Sequence, residues 1–266
     1  MRDYLSAPIV SGTVRAAGVT SGTTQITGIE VKLSQDGPWT AFDGKATASG
    51  IPAEAVGRVR MDGGTTVVEL RSGAATVEGV RATIAAPSTV RVTDGTARLE
   101  RLTLGLSGGS AVIDGTAGSN LDLNVSLNAL PASIVNAFSP DLNATGTISG
   151  RVAVGGAAAN PTVRYDMDWG GAGIQQTRDA GFGSFTVRSS GTFANNRLSL
   201  EATAAAGAGL SLNAGGSVDI GARSLNIDVR GPVPLAFLSP QLAAQGLALS
   251  GTSQVDLQVR GGFASP

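Results

Sequence analysis

Residues 145–161 read TGTISGRVAVGGAAANP, and residues 250–266 read SGTSQVDLQVRGGFASP. Gly146 falls on Gly251, Thr147 on Thr252, Val152 on Leu257, Val154 on Val259, Gly156 on Gly261 and Pro161 on Pro266. The offset is 251 − 146 = 105 residues with no gap. Upstream, Phe138-Ser139-Pro140 resembles Leu238-Ser239-Pro240 at an offset of 100. A unit of this length holds several strands; a solenoid turn has a period of roughly 20–50 residues. The second copy stops inside the motif, which gives the expectation of a piece of a longer protein.

Both copies contain a period-two alternation that runs through the whole chain. In Leu121-Asp122-Leu123-Asn124-Val125-Ser126-Leu127-Asn128 every aliphatic side chain falls on one face and every polar one on the other. The pattern recurs at Ile29–Leu33, Val68–Arg71, Leu102–Leu106, Leu198–Glu201, Leu210–Asn213, Leu225–Arg230 and Val255–Arg260, and with larger residues at Val163–Trp169. Alternation of this kind marks strands with one dry and one wet face. Asp62-Gly63-Gly64, Asp94-Gly95, Gly108-Gly109, Asn195-Asn196 and Gly215-Gly216 read as tight turns, since these residues tolerate positive φ. Together they predict an all-β chain in a long antiparallel meander.

Helix is scarce. Residues 131–138, led by Pro131, predict one short helix, with Ile134, Val135 and Phe138 on one side. Pro234–Leu238 is its counterpart in the second copy, and Ile51–Ala55 reads as a weaker version. The resulting division is a β segment over 1–130, a repeat unit over 131–233 and the start of a further unit over 234–266.

The dry face is predicted to consist of Leu121, Leu123, Val125 and Leu127, with Val152 and Val154 in the first motif copy. Leu198, Leu200, Leu210 and Leu212 follow, then Leu225, Ile227 and Val229, and finally Val255, Leu257 and Val259 in the second copy. These side chains are aliphatic, with almost no charge among them. They either fill a thin closed core, as in a sandwich or β-helix, or line an open curved trough.

Composition narrows the chemistry. The chain has 266 residues, 38 Gly, no Cys, no His and a net charge of −1. Near-neutral charge without a Lys/Arg block excludes a nucleic-acid surface, which needs cations to replace counterions. Arg58 and Arg60 sit between Glu54 and Asp62 and read as a solvated face. Without His and Cys there is no His general base, no Cys nucleophile, no His/Cys zinc site and no disulfide. No stretch reaches the ~20 apolar residues of a membrane helix, and residues 1–12 lack a signal-peptide core.

The motif matches are decoys. Gly105-Leu106-Ser107-Gly108-Gly109 copies a nucleophile elbow, but no His is present to take the serine proton. Asp166-x-Asp168-x-Gly170 lacks the later ligands of a calcium loop, and its carboxylates fall on a wet strand face. Gly44-Lys45-Ala46 lacks the spacing of a P-loop. Trp39, after Gly37-Pro38, reads as a local plug on the dry face. No enzyme, metal or cofactor is expected.

The succession of a short Pro-led helix, a G-T-x-x-G-x-V-x-V-G-G strand, an Asn-Pro and a further strand resembles the TamB family, the translocation and assembly module component of Gram-negative bacteria. The matching residues are Leu130-Pro131, Ser139-Pro140, Gly146–Gly156, Asn160-Pro161 and Val163–Trp169; the hairpin at Ser34–Trp39 followed by Gly44-Lys45-Ala46 is similar too. The resemblance implies a periplasmic, U-shaped β-sheet trough with a hydrophobic interior, held by an inner-membrane anchor outside this chain. It implies an Omp85-class outer-membrane barrel as partner. It also implies a role in outer-membrane protein assembly and in phospholipid transport between the membranes, with phospholipid or unfolded outer-membrane strands as cargo. The alternative is a β-helical passenger of a secreted autotransporter or adhesin, which would show parallel rungs of ~20–25 residues.

Overall fold

Alternating side chains and turns built on Gly, Asn and Asp leave little choice but strand, and the chain is all-β. The structure is a computed structural model and describes residues 11–21, 24–179, 181–235 and 250–262. Every ladder among the described residues is antiparallel. The parallel rungs of a β-helix are therefore not the architecture of these residues. The chain divides into two compact units, Met1–Leu123 and Asn124–Pro266.

The first unit holds β1 (Gly12–Ser21), β2 (Thr24–Asp36), β3 (Trp39–Ala48), β4 (Ile51–Asp62), β5 (Thr65–Val77), β6 (Val80–Ala86), β7 (Ser88–Thr93), β8 (Thr96–Leu106) and β9 (Gly109–Ala117). Strands β1 to β5 pair in sequence order. Strands β6 and β7 then share one row between β5 and β8: Ala74 faces Thr83 and Leu70 faces Ser88 on one side. On the other side Ala82 faces Leu106 and Val90 faces Leu99. Pro87 separates them, because proline has no N–H for the ladder and interrupts a central row. Residues Ile51–Ala55 are strand, not helix: they open β4, where Ala53 faces Ala46 and Ala55 faces Gly44. Three alternating small or aliphatic residues fit a pleated face better than one helical turn would.

β10 (Asn120–Pro131) leads into the second unit. That unit continues with β11 (Thr145–Ala157), β12 (Thr162–Gly173), β13 (Phe185–Ala194), β14 (Arg197–Ala206), β15 (Leu210–Asp219), β16 (Ser224–Pro234) and β17 (Thr252–Gly262). Strands β11 to β17 also pair in sequence order. The predicted helix after Pro131 is present as a 3₁₀ turn over Ala132–Ala137, followed by another at Pro140–Leu142. Its counterpart starts where β16 ends, at Pro234, and 236–249 lie outside the described residues. The short α1 (Gln175–Asp179) was not foreseen.

The hairpin turns follow backbone chirality. Asp94 and Gly95 have φ of 48° and 73°, and Asn195 and Asn196 have 50° and 59°, the paired positive values that match strand twist. Gly215-Gly216 is not a turn. It lies inside β15, and the chain reverses later, at residues 220–223, where the Ala222 N–H donates to Asp219 Oδ1 at 2.7 Å.

On the polar face of the first unit, charges of opposite sign meet across strands. Glu30 on β2 accepts from Arg15 on β1 at 2.9 Å and lies 3.1 Å from Lys45 on β3. Lys45 first, then Arg15, hold its carboxyl below the ordinary carboxylate value. A depressed folded-state pKa gives stability that is present above the unfolded value and lost as pH falls through the folded one. The Glu30 carboxyl, followed by carbon-13 NMR, is expected to titrate below an ordinary glutamate. Lys45→Met should move its midpoint upward; an unchanged midpoint would show that Lys45 is not the cause.

Candidate functional site: an uncovered apolar face

In the second unit the register assembles the aliphatic positions into continuous rows across the strands. One row runs Val154, Val163, Phe193, Leu198, Val218, Leu225. The next runs Val152, Tyr165, Gly191, Leu200, Gly216, Ile227, Val259. A third runs Met167, Ser189, Ala202, Ala214, Val229, Leu257, and a fourth Ile148, Trp169, Val187, Ala204, Leu212. Val255 lies on the same face of β17, opposite Gly231. Val125 and Leu127 continue the face on β10, while Leu121 and Leu123 belong to the first unit.

Long side chains lie down on this face where glycine leaves room. A Cβ on Gly191 would stand 2.8 Å from the Tyr165 ring. Tyr165 also shares a 3.3 Å hydrogen bond with Ser189 across the ladder. The first unit does the same: a Cβ on Gly57 would stand 2.8 Å from the ring of Phe42, which faces it across β3 and β4. An aromatic ring over a cross-strand glycine shields the backbone and keeps the face thin.

Among the described residues of either unit, nothing covers that face as a second layer would. Substantial contacts within each unit join ladder neighbours and the short helical turns. Among the described residues, the buried hydrophobic side chains are Trp39, Val67, Ala111, Ala132, Ala144, Ala172 and Leu210, and no large side chain is fully buried. A two-layer sandwich of this size would bury many of its Leu, Val and Phe completely. Here the residues of the apolar rows are half-buried, and Leu257 is 52% exposed. A bare aliphatic face of several strands is an interaction surface.

Three predicted positions behave differently from the rest. Leu210 is 3% exposed, beside the 3₁₀ turn Gly207–Gly209, and is a packing residue, not a lining one. Leu257 is the most open of the set, on a strand with a neighbour on one side only among the described residues. Trp39 is on the polar face, not the dry one. The guanidinium carbons of Arg58 and Arg60 lie over its ring, at 4.4 and 4.7 Å from its centroid. Arg58 in turn donates to Glu69 at 2.6 Å, which pushes its pKa further up. Tyr165, Met167, Phe193 and Val187 were not among the predicted lining residues, although the first two stood in a recognised alternating strand.

One end of the β11–β12 pair is closed by small residues. Ala132, Ala144 and Ala172 are buried there, Asn136 makes paired hydrogen bonds with Ala144 (3.2 and 2.7 Å), and Trp169 Nε1 donates to the Thr145 carbonyl at 2.8 Å. Arg178 on α1 donates to the Asn143 carbonyl at 2.8 Å. A concavity of the second unit is on the opposite, polar face. It is a depression of about 720 Å³ whose charged lining is Asp166, Asp168, Arg188, Glu201, Asp228 and Arg230. Charged walls do not suit an apolar ligand, which leaves the aliphatic rows as the surface for one.

Among the described residues, no group of three or more Asp or Glu is arranged to hold a metal ion, and no helix is long and apolar enough to cross a membrane. No protein-family model, no curated protein and no solved structure matches the chain.

Proposed function

We propose that the chain is a segment of a TamB-like periplasmic bridge whose uncovered aliphatic face receives the acyl chains of phospholipids in transit between the inner and outer membranes. The observation that carries this reading is the set of continuous aliphatic rows with no covering layer among the described residues of the second unit. Each CH₂ removed from water contributes about 0.8 kcal/mol, and the effect is non-directional. An aliphatic surface without polar traps holds a chain while letting it slide along. In this reading the sheet is curved into a trough, an inner-membrane anchor is supplied outside this chain, and an Omp85-class barrel is the outer-membrane partner.

Site-specific photocrosslinking in cells tests the reading, with a reactive side chain at Leu200 on the apolar face or at Glu201 on the polar one. Phospholipid is expected on Leu200 and not on Glu201. Capture of a nascent outer-membrane protein at Leu200 would replace acyl chains with unfolded strands as the cargo. Equal capture from both positions, or from neither, would remove the apolar face as the working surface.

A further inference from the structure

In each unit a glycine lets an aromatic ring lie across the sheet, and the two copies of this device differ by two hydroxyls. In the first unit Phe42 lies over Gly57, whose other ladder partner is Leu70. Ala55 is the next residue on that face of β4. In the second unit Tyr165 lies over Gly191, whose other ladder partner is Leu200. Ser189 is the next residue on that face of β13, in the place that Ala55 takes on β4. Phenylalanine is enough to shield a cross-strand glycine, so the Tyr165 hydroxyl is surplus to packing. It lies 2.9 Å from where a Cβ on Gly191 would stand, and it shares its 3.3 Å hydrogen bond with Ser189 Oγ. Trp169 Nε1 is engaged with the Thr145 carbonyl. Apart from it, these two hydroxyls are the polar side-chain atoms of the four rows, and no charged residue falls in them.

Two hydroxyls bring two donors, and the bond between them uses one. The other is left for whatever lies against the sheet. Water satisfies it while the face is bare. A plain hydrocarbon chain would displace that water and strand the donor; a chain that carries its own acceptor would not. On the phospholipid reading of this face, we infer that the Tyr165–Ser189 pair is a station for an ester carbonyl, so that the face prefers lipids whose acyl chains are ester-linked. The ester carbonyl is an uncharged acceptor joined directly to the acyl chain. A free fatty carboxylate calls for a cation, and the rows contain none. One neutral hydrogen bond gives a preference and not a trap, so the chain still slides.

The test uses the full chain with a diazirine side chain at Leu200. It is mixed with vesicles made of equal amounts of dioleoyl phosphatidylcholine and its ether-linked dioleyl analogue. The two lipids share headgroup and chain length, and their adducts separate by mass. Ester adducts are expected to exceed ether adducts about 5-fold, which corresponds to about 1 kcal/mol, one neutral hydrogen bond. Tyr165→Phe combined with Ser189→Ala keeps the ring and the packing, and should bring the two adducts to equal yield without lowering total capture. The same reactive side chain at Leu70, beside Phe42 and in the unit where Ala55 replaces the serine, should also give equal yields. An ester preference that survives the double variant, or equal capture of both lipids with the hydroxyl pair intact, would overturn the station while the phospholipid reading stands. Capture of neither lipid at Leu200 would remove both.

Discussion

Gly216→Ala is expected to cost the second unit more than about 3 kcal/mol, while Gly215→Ala, one residue away, leaves stability unchanged or raises it by up to about 1 kcal/mol. The two glycines look alike in the sequence but not in the sheet. A Cβ on Gly216 would run into the Asn226 carbonyl oxygen and stand 2.8 Å from the Ile227 Cα, at a φ of 154°. Both obstacles are backbone of the paired strand β16, so relief requires parting the ladder. A Cβ on Gly215 points to the polar face and meets only the Leu200 carbonyl, at 4.0 Å. There alanine simply removes freedom from the unfolded chain. Denaturant unfolding of the two variants, compared at equal m-value, decides the matter; similar losses from both would show that β15 does not approach β16 as described.

Trp39→Ala is expected to destabilise the first unit by about 3 kcal/mol, at the low end for a buried tryptophan. Trp39 is 9% exposed, yet it is on the charged face. Its burial comes from the aliphatic stems and planar heads of Arg58 and Arg60, and nearby Val67 is 2% exposed. Each stacked guanidinium contributes about 0.5–1 kcal/mol, and the stems cover apolar area besides. Trp39→Phe should recover part of the loss, because phenylalanine keeps the area but presents a weaker face to the cations. Hydrogen exchange of the β3, β4 and β5 amides should quicken in Trp39→Ala. An effect confined to the β2–β3 turn would mean that Trp39 serves only the turn.

The strands were legible because the alternation is strict where the sheet is regular. Leu225–Arg230 is the centre of β16 and Leu121–Asn128 the centre of β10. The lining rows were only partly legible. Phe193 and Val187 are not legible in the sequence, because the inward positions between them are Ser189 and Gly191, which erase the alternation while Gly191 makes room for Tyr165. The apolar character of Trp39 points to the wrong face because the parity of β3 is set by the two-residue turn at Gly37-Pro38, not by the residue after it. The broken row at Pro87 joins two strands that are each too short to declare their pairing. Whether the dry face was closed or bare was undecidable from side-chain type alone, since the same Leu and Val serve both; the lack of a second layer settled it for the described residues.

Pairing that passes mainly between sequence neighbours, with β5–β7 and β6–β8 as the exceptions, also governs how each unit forms. Most ladder contacts join residues a hairpin apart, such as Leu198 with Val218 or Phe42 with Gly57. Loops of that size close at little entropic cost, so contact order is low for an all-β chain and each unit can zip from any hairpin outward. The cooperativity is then close to that of a one-dimensional array, in which each strand is held by its two neighbours and terminal strands open first. A lesion such as Gly216→Ala therefore weakens one coupling in a series, and the amides of β15 and β16 beside it should exchange faster than those of β12 and β13.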